Sequence, residues 1–221
     1  MAIFLTILSG LGWVIVYEEC IRLGVKQRTY AMPFWALGLN FAWELIYTVS
    51  DIFLEAHGPL VGMTLVQAIA NAAWVCLDVI ILATYFLYGK KEWPAQIDGR
   101  LFVPWSVLGL ICCFALQLVF IQEFGFTMAA QYSAFLQNLL MSVLFIALYV
   151  RRGGMRGQSL LLASAKWIGT LAPTILMGVL TFNWIVLVSG IFCSIFDIIY
   201  IVLLVMERRK ACPMSMSRTD E

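Results

Sequence analysis

Charge is what this chain has least of. Only 12% of its 221 residues are Asp, Glu, Lys or Arg, against roughly 25% in ordinary soluble domains. Fourteen basic and thirteen acidic residues leave a formal charge of +1, so no charge bias points to nucleic acid. The six cysteines (Cys20, Cys76, Cys112, Cys113, Cys193, Cys212) are scattered and form no CxxC pair, which speaks against a disulfide framework or a zinc site. The chain also lacks a Gly-rich phosphate loop, a low-complexity linker and a strong internal repeat. What fills it is apolar: 62% of residues are hydrophobic, which excludes disorder and describes a polytopic membrane protein.

A bilayer core of about 30 Å needs about 20 mostly apolar helical residues. Seven stretches meet that length: Ala2–Ile21, Tyr30–Ser50, Leu60–Tyr88, Phe102–Gln122, Thr127–Val150, Leu160–Leu180 and Asn183–Met206. The expected fold is therefore an all-α integral membrane protein, with seven transmembrane helices in one bundle over residues 1–207 and a short tail at 208–221. The first run has no basic stretch before it and no small-residue cleavage site after it, so it is expected to be a retained helix. Short connections predict that successive helices are antiparallel neighbours. Pro33 falls in the first turn of span two, where a missing N–H costs little. Pro173 lies inside span six and should kink it, freeing a carbonyl toward the bundle interior.

Basic residues orient the bundle. Arg22, Lys26 and Arg28 follow span one; Lys90, Lys91 and Arg100 follow span three; Arg151, Arg152 and Arg156 follow span five; Arg208, Arg209, Lys210 and Arg218 follow span seven. Lys166, a turn or so inside span six, lies toward the same side. The opposite side carries Asp51, Glu55, His57 and Glu123 and no Lys or Arg. The positive-inside rule then predicts an outside or lumenal N-terminus and a cytoplasmic C-terminus. The expected location is the endoplasmic reticulum membrane in a eukaryote, or the cell membrane in a bacterium.

Ionisable residues within a membrane helix are costly and point to function. Glu18 and Glu19 read as an interfacial pair beside Arg22, and Lys166 is near enough to the surface to snorkel. Glu44 is different, lying about 6 Å past the midpoint of its span at 1.5 Å per residue. Asn40, Trp43, Glu44 and Tyr47 recur at helical spacing on one face, as a cavity wall would; an interhelical hydrogen-bond cluster is the structural alternative. Asp197 sits near mid-depth in span seven, with Tyr200 on the same side. Two carboxyls in one apolar cavity would resist ionisation, so at least one should keep its proton and serve as a general acid. Asp78 shares a face with Asn71 and Trp74 in span three, and either lines the same cavity or pairs with Lys166. Trp13, Tyr17, Trp43, Tyr47, Trp74 and Tyr200 accompany these polar positions. Their π-faces would stabilise a cation, although packing accounts for any one of them taken singly.

The stretch Asn40-Phe41-Ala42-Trp43-Glu44-Leu45-Ile46-Tyr47 resembles the N-x-x-W-E-x-x-Y signature of the membrane-bound terpene cyclases of meroterpenoid and indole-diterpenoid biosynthesis. The likeness extends through Gly10-Leu11-Gly12-Trp13, Tyr17, Thr29-Tyr30, Met32-Pro33, Glu92-Trp93 and Glu123-Phe124-Gly125. It continues through Gln137-Asn138-Leu139-Leu140-Met141-Ser142, Arg152–Ser159 and Asp197-Ile198-Ile199-Tyr200. The resemblance implies a cyclase of the isomerase or lyase type, free of cofactor and metal, acting on a prenylated small molecule. A terminal epoxide or alkene is protonated, the polyene closes on the cation, and a final deprotonation ends the cascade. It also implies Glu44 and Asp197 as the catalytic acid/base pair. Trp13, Tyr17, Asn40, Trp43, Tyr47, Asn71, Trp74, Asp78 and Tyr200 are the candidate substrate-binding residues. Partners are then the lipid bilayer and the substrate, with a prenyltransferase and an epoxidase acting upstream. The DDxxD magnesium motif of soluble terpene cyclases is absent, which speaks against ionisation of a diphosphate.

A transporter reading stays open beside this one. Seven spans in about 220 residues also fit a 3+1+3 transporter of a polar solute, with Pro33 and Pro173 in matching helices of its halves. Against it, Glu44 has no carboxylate counterpart in span six.

Overall fold

The computed structural model describes residues 1–50 and 63–211. Asp51, Glu55, His57, Cys212 and Arg218, together with the start of the expected third span, lie outside the described residues. Seven α-helices are described: α1 (Ala2–Gln27), α2 (Phe34–Val49), α3 (Met63–Tyr88), α4 (Phe102–Phe124), α5 (Phe126–Arg152), α6 (Leu160–Pro173) and α7 (Trp184–Ala211). Among the described residues, six helical segments are long and apolar enough to cross a membrane. The described part of α2 has 16 residues, against the roughly 20 that a full crossing needs, and the residues after Ser50 lie outside the described ones. The large apolar side chains facing away from the bundle, among them Phe4, Leu11, Ile111, Leu118 and Val202, are exposed, as helix faces surrounded by acyl chains would be.

Helix ends are set by local chemistry. α1 stops at Arg28 and α5 at Gly153, both in the left-handed region, where the N–H of each closes back on the preceding turn. Ser159 caps α6 with its hydroxyl on the N–H of Leu162 at 3.1 Å. Pro33 stands just before the first turn of α2 and offers its carbonyl to Leu37 N at 2.9 Å. α6 ends at Pro173, and the chain continues through a π-helical turn, Thr174–Leu180. Proline removes the bond to the carbonyl four residues back, that of Gly169. Ser9 Oγ of α1 takes up that carbonyl at 2.8 Å, so the freed group does face the interior, as the sequence predicts.

The neighbour relationships meet the expectation of sequential pairing only in part, at α2–α3, α4–α5 and α6–α7. α1 packs most extensively on α6, α2 on α3, and α5 on α7, whereas α1 and α2 share no extensive contact. A short link fixes the end at which the next helix begins, and side-chain fit then chooses its neighbour. The α1–α6 pairing depends on small residues: a Cβ on Gly12 would stand 2.9 Å from Gly169 Cα and 3.0 Å from the Ala165 carbonyl oxygen.

The packed interior is uneven. Val16, Cys20, Leu37, Ile81, Met141, Phe145, Leu162, Tyr200 and Leu204 belong to one buried cluster in the half of the bundle nearer the basic helix ends. The other half is more polar and holds a cavity.

Candidate active site

That cavity encloses about 340 Å³ between α1, α2, α3, α5 and the π-helical turn after α6. Its walls include Ser9, Gly10, Trp13, Tyr17, Asn40, Trp43, Glu44, Trp74, Gln137 and Asn138. Most of the lining comes from the half away from the basic ends, where α1, α3 and α5 present their N-terminal halves and α2 its C-terminal half, and Tyr17 and Asn40 join it from just past mid-helix. Pro173 also lines it, so the break in α6 helps to make room.

Glu44 is 3% exposed and is held from two sides. The Tyr17 hydroxyl donates to Glu44 Oε1, and Asn40 Nδ2 lies 3.0 Å from the same oxygen. Asn40 Nδ2 also reaches the Tyr17 hydroxyl at 2.6 Å and Asp78 Oδ2 at 2.9 Å, three acceptors for two N–H groups. The amide is oriented by Gln137 Nε2, which approaches Asn40 Oδ1 at 3.3 Å, while Gln117 Nε2 donates to Gln137 Oε1 at 2.9 Å. Trp43 turns its indole N–H to the Ala130 carbonyl at 3.0 Å. Tyr17 lies near both Trp13 and Trp74, with ring centroids 6.3 and 6.4 Å away.

The structure thus brings Trp13, Tyr17, Asn40, Trp43, Glu44 and Trp74 to one wall. Asp78, Tyr47, Asn71, Asp197 and Tyr200 are not on it. Tyr47 packs at a tilt against Trp43, with ring centroids 4.7 Å apart, and edge-on to Phe126 at 4.6 Å. Asn71 is buried in α3. Tyr200 donates to Gln158 Oε1 at 2.9 Å within the packed half.

Asp197 does not meet Glu44. It pairs with Lys166, whose Nζ lies 2.8 and 3.0 Å from its two oxygens and 2.7 Å from Ser142 Oγ. Lys166 is therefore not a snorkelling residue: it is 0% exposed, because α6 turns that face toward α5 and α7. Glu19 follows the sequence reading, bonded to Arg22 at 2.6 and 2.7 Å, and it also accepts from Ser159 at 2.7 Å.

Two features carry no mark of a site in the sequence. Gln117 and Gln137 are uncharged, so the burial cost that marks intramembrane acids does not mark them. At the basic end, Arg152 Nε and Nη2 hold Glu92 at 2.9 and 3.0 Å, and Thr29 Oγ1 donates to Glu92 Oε1 at 2.6 Å. The guanidinium also lies over the Tyr30 ring at 4.6 Å. This clasp ties the first and third loops to the end of α5, and a larger cavity of about 690 Å³ beside it is lined mainly by aromatic and aliphatic side chains.

Taken as chemistry, the smaller cavity offers an acid supported by a phenol and an amide, beside the indole rings of Trp13, Trp43 and Trp74. Among the described residues, no group of three His, Cys, Asp or Glu side chains could hold a metal ion.

The model of the Pyr4-like transmembrane terpene cyclases matches residues 1–210. Terpene cyclase pyr4 of Aspergillus fumigatus is 29% identical over 213 residues, 91% of this chain and 85% of that protein. Terpene cyclase terB of Tolypocladium album is 30% identical over 73% of this chain and 64% of its own length. Terpene cyclase cdmG of Talaromyces verruculosus is 26% identical over 75% and 65%. The match thus spans a little under two thirds of the length of the last two. No solved structure matches the chain.

Proposed function

Since the chain belongs to the Pyr4-like transmembrane terpene cyclase family, we propose that it cyclises the prenyl chain of a prenylated small molecule by proton-initiated carbocation chemistry, with Glu44 as the acid. One observation carries this reading. Glu44 is the acid on the cavity wall, and it is supported there by Tyr17 and Asn40 beside Trp13, Trp43 and Trp74. Its O–H proton passes to the terminal alkene carbon or epoxide oxygen of the substrate. The growing cation then moves along indole and phenol faces, which stabilise positive charge without offering a nucleophile. Loss of a proton from carbon ends the cascade, so an alkene substrate and its product are isomers. Such a start needs neither a metal nor an organic cofactor.

Asp197 enters this reading as a positioning residue. Through Lys166 and Ser142 it fixes α6, α7 and α5 against one another, and α5 and the turn after α6 form much of the cavity wall. In a eukaryotic cell the basic helix ends support a cytoplasmic C-terminus, with the cavity then in the lumenal half of the endoplasmic reticulum membrane. A prenyltransferase, and for the epoxide route an epoxidase, must act upstream to make the substrate.

The test is Glu44→Gln in membranes, offered matched prenylated substrates with and without a terminal epoxide. Cyclised product should vanish while the amount of inserted protein is unchanged. Product formed at the wild-type rate would overturn the assignment of the acid.

A further inference from the structure

Asp78 is the intramembrane acid for which the sequence offers two roles, and the structure gives it neither. It is not on the cavity wall, and Lys166 is committed to Asp197 and Ser142. Its side chain is 0% exposed and faces the back of Glu44. Asn40 Nδ2 spans the two acids, 2.9 Å from Asp78 Oδ2 and 3.0 Å from Glu44 Oε1. The two carboxyls also lie within hydrogen-bonding reach of each other. Among the described residues, the titratable groups turned toward the pair are Tyr17 and Cys20 of α1.

Hydrogen-bond accounting limits what this cluster can hold. Two ionised carboxylates would present about four lone-pair sites each. Facing them are the two N–H groups of Asn40 and the Tyr17 hydroxyl, and Asn40 is itself shared with Tyr17. Glu44 Oε2 and Asp78 Oδ1, one oxygen on each acid, have no N–H or O–H donor among the described residues. A proton on each acid, one of them lying between the two, fills that gap and removes the repulsion of two like charges in an apolar interior.

We propose that Asp78 is a positioning residue for Glu44: it stays in the acid form and donates its proton as a hydrogen bond to the carboxylate that Glu44 becomes. This rests on Glu44 being the proton donor. When the Glu44 O–H bond breaks, a C–H bond forms at the substrate's alkene carbon, or an O–H bond at its epoxide oxygen. The cluster then carries one negative charge opposite one substrate cation, and the new carboxylate has three donors, Asp78, Tyr17 and Asn40. With Asp78 ionised, the same step would leave two adjacent charges. The proton released from carbon at the end of the cascade returns to Glu44, and the pair is restored.

The test uses two measurements. The first is infrared spectroscopy of the purified protein in detergent, which reads the C=O stretch of protonated carboxyls without substrate. Asp78→Asn should remove one component of that band and displace the component that Glu44→Gln removes. The second is turnover in membranes. Asp78→Leu should lower kcat about 10²–10³-fold, as loss of one donor to a developing anion does, with KM almost unchanged. Asp78→Asn, whose amide N–H can still donate to Glu44, should recover most of that loss. A Glu44 band indifferent to Asp78→Asn, or a well-inserted Asp78→Leu protein with near wild-type kcat, overturns the proposal. If Asp78→Leu fails to insert, the infrared comparison with Asp78→Asn still decides it. Failure of the cyclase reading shows separately, as Glu44→Gln membranes that still cyclise.

Discussion

Lys166 Nζ lies 2.8 Å from Asp197 Oδ1 in an interior where the two residues are 0% and 1% exposed. Each is the other's charge partner, and Ser142 Oγ at 2.7 Å completes the ammonium's surroundings. Removing one member strands a charge in the bundle, whereas removing both leaves an apolar gap. Lys166→Met and Asp197→Leu should each destabilise the protein by about 3–5 kcal/mol, and the double variant should recover much of that loss. Denaturation of purified protein in detergent measures it. Turnover should return with stability in the double variant if Asp197 has the positioning role proposed for it. A stable double variant without activity would give Asp197 a part in the chemistry.

Tyr17→Phe removes the hydroxyl that donates to Glu44 and accepts from Asn40 while keeping the ring between Trp13 and Trp74. The expected result is a fall in kcat of about 10²-fold, with wild-type abundance and little change in KM. Steady-state kinetics on membranes separate the two constants. A loss confined to KM would make Tyr17 a wall residue and remove it from the proton donor's support.

Much of this site is legible in the sequence because charge inside a membrane is expensive. Glu44 declares itself by depth, and Asn40 and Trp43 by their helical spacing from it. Depth along one helix, however, says nothing about which helices touch. Asp78 and Asp197 look alike as intramembrane acids, yet α3 carries one to the back of Glu44 and α7 carries the other to Lys166. Lys166 misleads for the same reason: counting places it near the surface, but its face of α6 is turned inward. The stripe through Tyr47 divides as well, since one helical face is wide enough for Glu44 to meet α1 and α3 while Tyr47 packs toward Phe126 of α5. The break at Pro173 follows from proline's missing N–H, but its hydroxyl partner, Ser9, belongs to a helix distant in sequence.

The absence of a DDxxD motif and the assignment of Glu44 as the acid lead to a prediction about metal. Cyclisation in washed membranes should survive EDTA at concentrations that strip magnesium from diphosphate-dependent enzymes. A loss of activity restored by added magnesium would mean that the cascade begins by another route.

Gly10 and Gly12 lie two residues apart on α1, and substitution should separate cavity from scaffold. A Cβ at Gly12 would stand 2.9 Å from the Gly169 Cα, with backbone rather than a flexible side chain in the way, so α1 and α6 must move apart. Gly12→Ala should therefore destabilise the protein by about 1–3 kcal/mol, outweighing the gain in helix propensity of about 1 kcal/mol. Gly10 lines the cavity and has open space where a Cβ would project. Gly10→Leu should leave the unfolding midpoint near that of the wild type and narrow the space for the prenyl chain, raising KM or changing the product. Denaturation midpoints and product analysis on the same two preparations check both expectations. A destabilised Gly10→Leu protein with unaltered products would mean that the substrate folds somewhere other than this cavity.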